Sequence, residues 1–192
     1  MRSLCPVLPC IEAMPATKGK GRNILLENVL LFSFWIAFFS LAGSLCLHGQ
    51  TYETTGASIN WEDPAAWSCS GGPCGNNPFP GRDLQNDDVF IRHNINYYSN
   101  NPITIRNNSS IDISQGARLN LASNLNISNG GVLAVNGGSI RIGPGIMNND
   151  GLASFSDAFV QKDGNYINNG STTLANACIE ILDGNFNNNG SL

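Results

Sequence analysis

From Ile103 onward the chain repeats one small pattern: two apolar residues separated by a single residue, then Gly or Asn, then another such pair. Ile103/Ile105, Ile111/Ile113, Leu119/Leu121, Leu125/Ile127, Leu133/Val135 and Ile140/Ile142 follow one another in this way. Within each pair both side chains point to one face of a short strand and the residue between them points to the other. Gly and Asn tolerate the positive φ angles of tight corners, so they mark where the chain turns. Strands this short leave no room for hairpins with long arms.

The pattern becomes an explicit repeat further on. Asp163-Gly164-Asn165-Tyr166-Ile167-Asn168-Asn169-Gly170-Ser171 returns 20 positions later as Asp183-Gly184-Asn185-Phe186-Asn187-Asn188-Asn189-Gly190-Ser191, and Gly145 to Gly151 is a weaker earlier copy. A period of about 20 residues marks a solenoid, whose repeats bury their apolar faces by stacking on neighbours. The expected fold is all-β, a parallel β-helix with Ile, Leu, Val, Phe and Tyr inside. Asn at the corners would form ladders of amide hydrogen bonds from coil to coil.

The first fifty residues read differently. Arg2, Lys18, Lys20 and Arg22 precede an apolar run from Val29 to Leu47. A basic flank, an apolar helix and then small residues is the layout of a secretory signal, with cleavage expected after Ser44 or Gly49. The run is also long enough for a membrane anchor, the alternative reading. Three regions follow: a signal peptide or anchor over 1–50, a cap over 51–101 and β-helix repeats over 102–192. The last repeat breaks off at Leu192, so the sequence reads as a truncated piece whose open edge would pair with another chain.

In the cap region, Trp61 and Trp67 flank Glu-Asp-Pro-Ala-Ala, Cys69 and Cys74 enclose Ser-Gly-Gly-Pro, and Asp88-Val89-Phe90-Ile91 leads into the rungs. The order Asn60-Trp61, Pro64, Trp67-Ser68, Pro80-Gly81, Asp88-Val89, Ile91, followed by rungs with Gly116-Ala117, resembles the N-terminal part of large secreted surface proteins of Bacteroidota. Those are adhesin-like β-helical proteins exported with a cleaved signal and a C-terminal sorting domain of the type IX system; no such domain occurs up to Leu192. The resemblance spans about Ser58 to Leu192. It implies a secreted or cell-surface location, outer-membrane-associated, with surface polysaccharide or a neighbouring surface protein as partner. Membrane contact would run only through the N-terminal segment.

A β-helix must cover the exposed backbone and side chains of its first coil. Trp61, Trp67 and Phe79 are the expected cover, each burying a large area; a sugar-stacking platform is the other use of such rings. Cys69 and Cys74 are the candidate disulfide of an exported chain. Free thiols or another pairing remain open, and a metal site lacks partners, since Cys178 is distant and His93 is the only later His. Cys178 itself, between Ala177 and Ile179, is expected to be buried. Asp83, Asp87 and Asp88 are expected to cap turns before the first strand; their spacing matches no calcium loop.

Charge narrows the function classes. Beyond Gln50 there are 12 acids against 6 bases, a balance of −6. An acidic, Asn-rich surface is unsuited to nucleic acid. Some parallel β-helices are polysaccharide lyases or hydrolases, which need paired carboxylates or an acid with a base. Here Asp150, Asp163 and Asp183 fall at corners, Asp112 and Glu180 face outward several rungs apart, and Arg106, Arg118 and Arg141 read as solvated. No catalytic, cofactor or metal residue is assigned. The expectation is a non-catalytic structural or adhesive surface module; the alternative is a fragment of a carbohydrate-active β-helix.

Overall fold

The computed structural model describes residues 49–72, 74–75 and 78–192. The expected signal or anchor helix, including Val29 to Leu47, lies outside the described residues. What is described is a parallel β-solenoid of about five turns with almost no helix.

Three strands come first: β1 (Thr51–Thr54), β2 (Trp67–Ser70) and β3 (Asp83–Gln85). The first full coil is β4 (Asp88–Ile91), β5 (Ile95–Tyr97) and β6 (Ile103–Arg106). The second is β7 (Ser110–Ile113), β8 (Arg118–Leu121) and β9 (Leu125–Ile127). The third is β10 (Val132–Asn136), β11 (Ser139–Ile142) and β12 (Ile146–Asn149). Then come β13 (Leu152–Ser156), β14 (Phe159–Asp163) and β15 (Asn165–Asn168), and finally β16 (Ser171–Ala175), β17 (Cys178–Asp183) and β18 (Phe186–Asn188).

Like strands stack into three sheets. Sheet A runs β16-β13-β10-β7-β4-β1-β2, sheet B runs β17-β14-β11-β8-β5, and sheet C runs β18-β15-β12-β9-β6-β3. Every pairing is parallel except β1 with β2. Each strand therefore finds its partner one coil away, which is why pairs of apolar residues suffice without hairpins.

The coil is already running before Ile103, the start expected from the apolar pairs. β4 and β5 lie in register with β7 and β8. An incomplete turn precedes even these: β1 pairs with β4, Asn60 bridges to Asn96, and β3 pairs with β6. Its rungs escape notice in the sequence because a long excursion, carrying β2 and the Cys69–Cys74 loop, interrupts them.

The inward columns explain the core. Val89, Ile111, Leu133 and Ala153 stack in sheet A, and Ile95, Leu119, Ile140 and Val160 in sheet B. All are buried. Farther along, the interior differs from the expected purely apolar filling. The sheet-C column reads Leu84, Ile105, Ile127, Asn149, Asn168, Asn188. Asn149 and Asn168 are buried, as are Thr172 and Lys162. The amides satisfy one another along the axis: Asn149 Nδ2 donates to Asn168 Oδ1 at 2.8 Å, and Asn168 Nδ2 to Asn188 Oδ1 at 2.6 Å. Tyr166 Oη and Thr172 Oγ1, 2.7 Å apart, close the cluster from the side. A second ladder does lie at the corner, where Asn189 donates to Asn169 and Asn169 to Asp150. Amide stacking thus runs inside the coil as well as at its turns.

The corner glycines are set by close approach between coils. A Cβ on Gly170 would lie 2.3 Å from the Gly151 carbonyl oxygen, and one on Gly190 2.0 Å from that of Gly170. No side chain fits there without parting two coils.

Candidate functional site

The expected cap residues are drawn together at the first coils. Trp61 and Trp67 are 0% and 4% exposed. Trp61 Nε1 donates to Pro80 O at 2.9 Å, and Trp67 Nε1 to Trp61 O at 2.7 Å. Their rings meet edge to face at 5.0 Å, and Trp61 meets Tyr97 at 6.0 Å. Phe79 is half-buried against the same core. Neither indole offers a face to solvent, which removes the sugar-platform reading for these two rings. Cys69 and Cys74 are joined as a disulfide.

The acids of this region are engaged locally. Asp87 accepts from the backbone N–H groups of Gln50 and Gln85. Asp88 accepts from the Ser110 hydroxyl, and Asp83 pairs with Arg106, a residue expected to be solvated. Among the described residues no His, Cys, Asp and Glu group is arranged to hold a metal ion.

Cys178 corrects the expectation of burial: it is exposed. Ile179 and Ile181 take the inward places on β17, so alternation turns Cys178 and Glu180 out.

The same alternation builds an outward face on sheet B. One column reads Asn96, Asn120, Arg141, Gln161, Glu180, and the next reads Arg118, Ser139, Phe159, Cys178. Asn120 Nδ2 donates to Asn96 Oδ1 at 2.6 Å, and Arg118 Nε to Ser139 Oγ at 3.2 Å. Phe159 is 44% exposed, and Tyr98, just past β5, is 68% exposed. A hollow of about 400 Å³ opens here, lined among others by Asn96, Tyr98, Arg118, Asn120, Arg141 and Pro144. A smaller one, about 80 Å³, lies between Arg118, Arg141, Phe159 and Gln161.

The hollow has a structural cause. The chain passes from sheet B to sheet C in fewer residues between Leu119 and Leu125 than between Ile95 and Ile103 or Ile140 and Met147, the positions paired with them. The second coil is therefore recessed at Ala122, with Tyr98 on one side and Pro144 on the other. A further hollow of about 630 Å³ at another corner is lined by Asn, Ser and Gly with Val132, Asp150 and Leu152.

The two arginines of the sheet-B face make no ion pair, although Asp163 lines the hollow with them. Arg92 pairs with Glu53 and Asp112, and Arg106 with Asp83. Neither Arg118 nor Arg141 has a carboxylate within ion-pair distance among the described residues. Sequence reasoning placed both as solvated and missed Tyr98 and Phe159. Alternation alone turns the arginines outward; their proximity depends on the coil lengths, which only the register supplies.

Lys162 is the other cation of note. Its stem occupies the inward column after Tyr97, Leu121 and Ile142. Its ammonium donates to Gly143 O at 2.8 Å, to Gly145 O at 3.2 Å and to Asp163 O. Burial lowers its pKa below the ordinary 10.5, with the Asp163 charge opposing. The folded chain then binds fewer protons than the unfolded chain in the alkaline window below 10.5, so stability from this group rises as pH rises through that window. Relative to a Lys162→Met variant, wild-type unfolding free energy in urea is expected to increase from neutral pH toward 10. A difference independent of pH would mean that the ammonium is not desolvated.

No family model matches the chain, and neither a curated protein nor a solved structure matches it.

Proposed function

We propose that this chain is a non-catalytic β-solenoid module of a secreted or cell-surface protein, adhesive through the outward face of sheet B. The observation that carries this reading is that Arg118 and Arg141, without an ion pair among the described residues, lie between exposed Tyr98 in the larger hollow and exposed Phe159 in the smaller one. A rigid stack of coils holds such side chains at fixed spacing, which suits a binding surface. Export is supported by the basic-then-apolar leader before Gly49 and by the Cys69–Cys74 disulfide, a bond favoured in oxidising compartments. The resemblance to adhesin-like surface proteins of Bacteroidota agrees with both.

The enzyme reading keeps one specific support: Asp163 lines the same hollow as Arg141. A carboxylate beside a guanidinium is a minimal set for cleaving an acidic glycan. One experiment weighs the two. The full chain is applied to an array of immobilised plant, algal and bacterial polysaccharides, and the same glycans are incubated with it in solution. Retention without release of new chain ends is expected. Product that accumulates in proportion to protein would replace the adhesive reading with the catalytic one.

A further inference from the structure

We propose that the sheet-B groove binds a polyuronate, an acidic polysaccharide with a carboxylate on its repeating sugars, laid along the solenoid axis. The proposal rests on the adhesive reading and names its ligand class.

Three features of the face select this chemistry. First, Arg118 and Arg141 come from adjacent coils, are exposed, and have no carboxylate partner among the described residues. A guanidinium presents a planar fork that matches a carboxylate with two parallel hydrogen bonds. Second, Tyr98 and Phe159 offer aromatic rings on the first and fourth coils. Such rings pack against the apolar faces of sugars. Third, the amides of Asn96, Asn120 and Gln161 line the two hollows, supplying donors and acceptors for hydroxyls.

Geometry sets the direction. Successive rungs are about 4.8 Å apart, close to the length of one sugar residue in an extended chain. A glycan lying along the axis thus meets a new rung with each sugar, with Arg118 on the second coil and Arg141 on the third facing it from neighbouring columns. Lying across the strands, it would leave the recess at once. Asp163 in the hollow and Glu180 at the far end of the face limit the polyanion to the stretch around Arg118 and Arg141, and the excess of acids over bases disfavours it on the rest of the surface.

The test uses the full chain and three acidic polysaccharides: alginate and polygalacturonate, with a carboxylate on every sugar, and hyaluronan, with one on every second sugar. Each is compared with its methyl-esterified, uncharged form by affinity electrophoresis and calorimetry. At least one polyuronate is expected to bind, with its ester weaker by roughly tenfold, the scale of a lost charge-assisted pair. The double variant R118Q/R141Q should abolish that preference while keeping wild-type circular dichroism. Y98A should weaken acid and ester forms alike. Binding to neutral glycans only would overturn the acidic ligand and leave the adhesive reading standing; binding to no glycan would overturn both. Polyuronate binding unchanged in R118Q/R141Q, or matched by single-stranded DNA, would overturn the site.

Discussion

Trp61→Ala is expected to lower the unfolding free energy by about 4 kcal/mol, the scale for removing a fully buried indole. Trp61 is 0% exposed, and its ring lies between Trp67 and Tyr97. Truncation would open a cavity under the incomplete first turn and leave the Pro80 carbonyl without its indole donor. The loss should be local. A solenoid coil touches only its neighbours, so the coils from β10 onward should hold while β1 to β5 open. Far-ultraviolet circular dichroism during urea unfolding gives the midpoint, and hydrogen exchange gives the place. Faster exchange spread evenly from β1 to β18 would show that the tryptophan supports the whole stack. Exchange unchanged throughout would show that it supports nothing.

Asn168→Leu should destabilise by about 3 kcal/mol, although leucine is nearly the same size and apolar. By register the site is a core position, since the same column holds Ile105 and Ile127 three and two coils earlier. Its chemistry is different. Asn168 accepts from Asn149 at 2.8 Å and donates to Asn188 Oδ1 and to Ser191 O at 2.9 Å. A leucine would break both steps of the ladder and strand part of a buried amide. Asn187→Leu, on the same exposed strand but outside the ladder, serves as the control and should cost under about 1 kcal/mol. Equal effects from the two substitutions, read from urea midpoints, would mean that the inner ladder contributes nothing beyond packing.

These two sites also mark how far the sequence was legible. The alternating pairs and the 20-residue return gave the solenoid and its inward faces, because a strand's period of two is read directly from apolar spacing. Reading failed where the interior is polar. Asn149, Asn168 and Thr172 look like turn residues, since Asn and Thr are placed by their usual habits rather than by what stacks above them. Lys162 lies two residues after Val160 on the inward side of β14, where alternation predicts an apolar residue; its length lets the ammonium reach the corner carbonyls. The incomplete turn around Asn60 was hidden by the excursion between β1 and β3. On the candidate face, the outward direction of Arg118 and Arg141 follows from the sequence. Their meeting across coils, and the recess at Ala122, come from corner lengths that no single repeat reveals.

The orientation of the strand pairings has a mechanical consequence. In this winding the backbone hydrogen bonds that join one coil to the next run along the long axis, so tension applied lengthwise strains a single layer of them before the next. The chain should yield in small steps of similar size, one coil at a time, rather than in one abrupt rupture. The Cys69–Cys74 bridge would shorten the slack released near β2. A solenoid built this way would absorb a tug by paying out length and would shorten again by rewinding when the load falls.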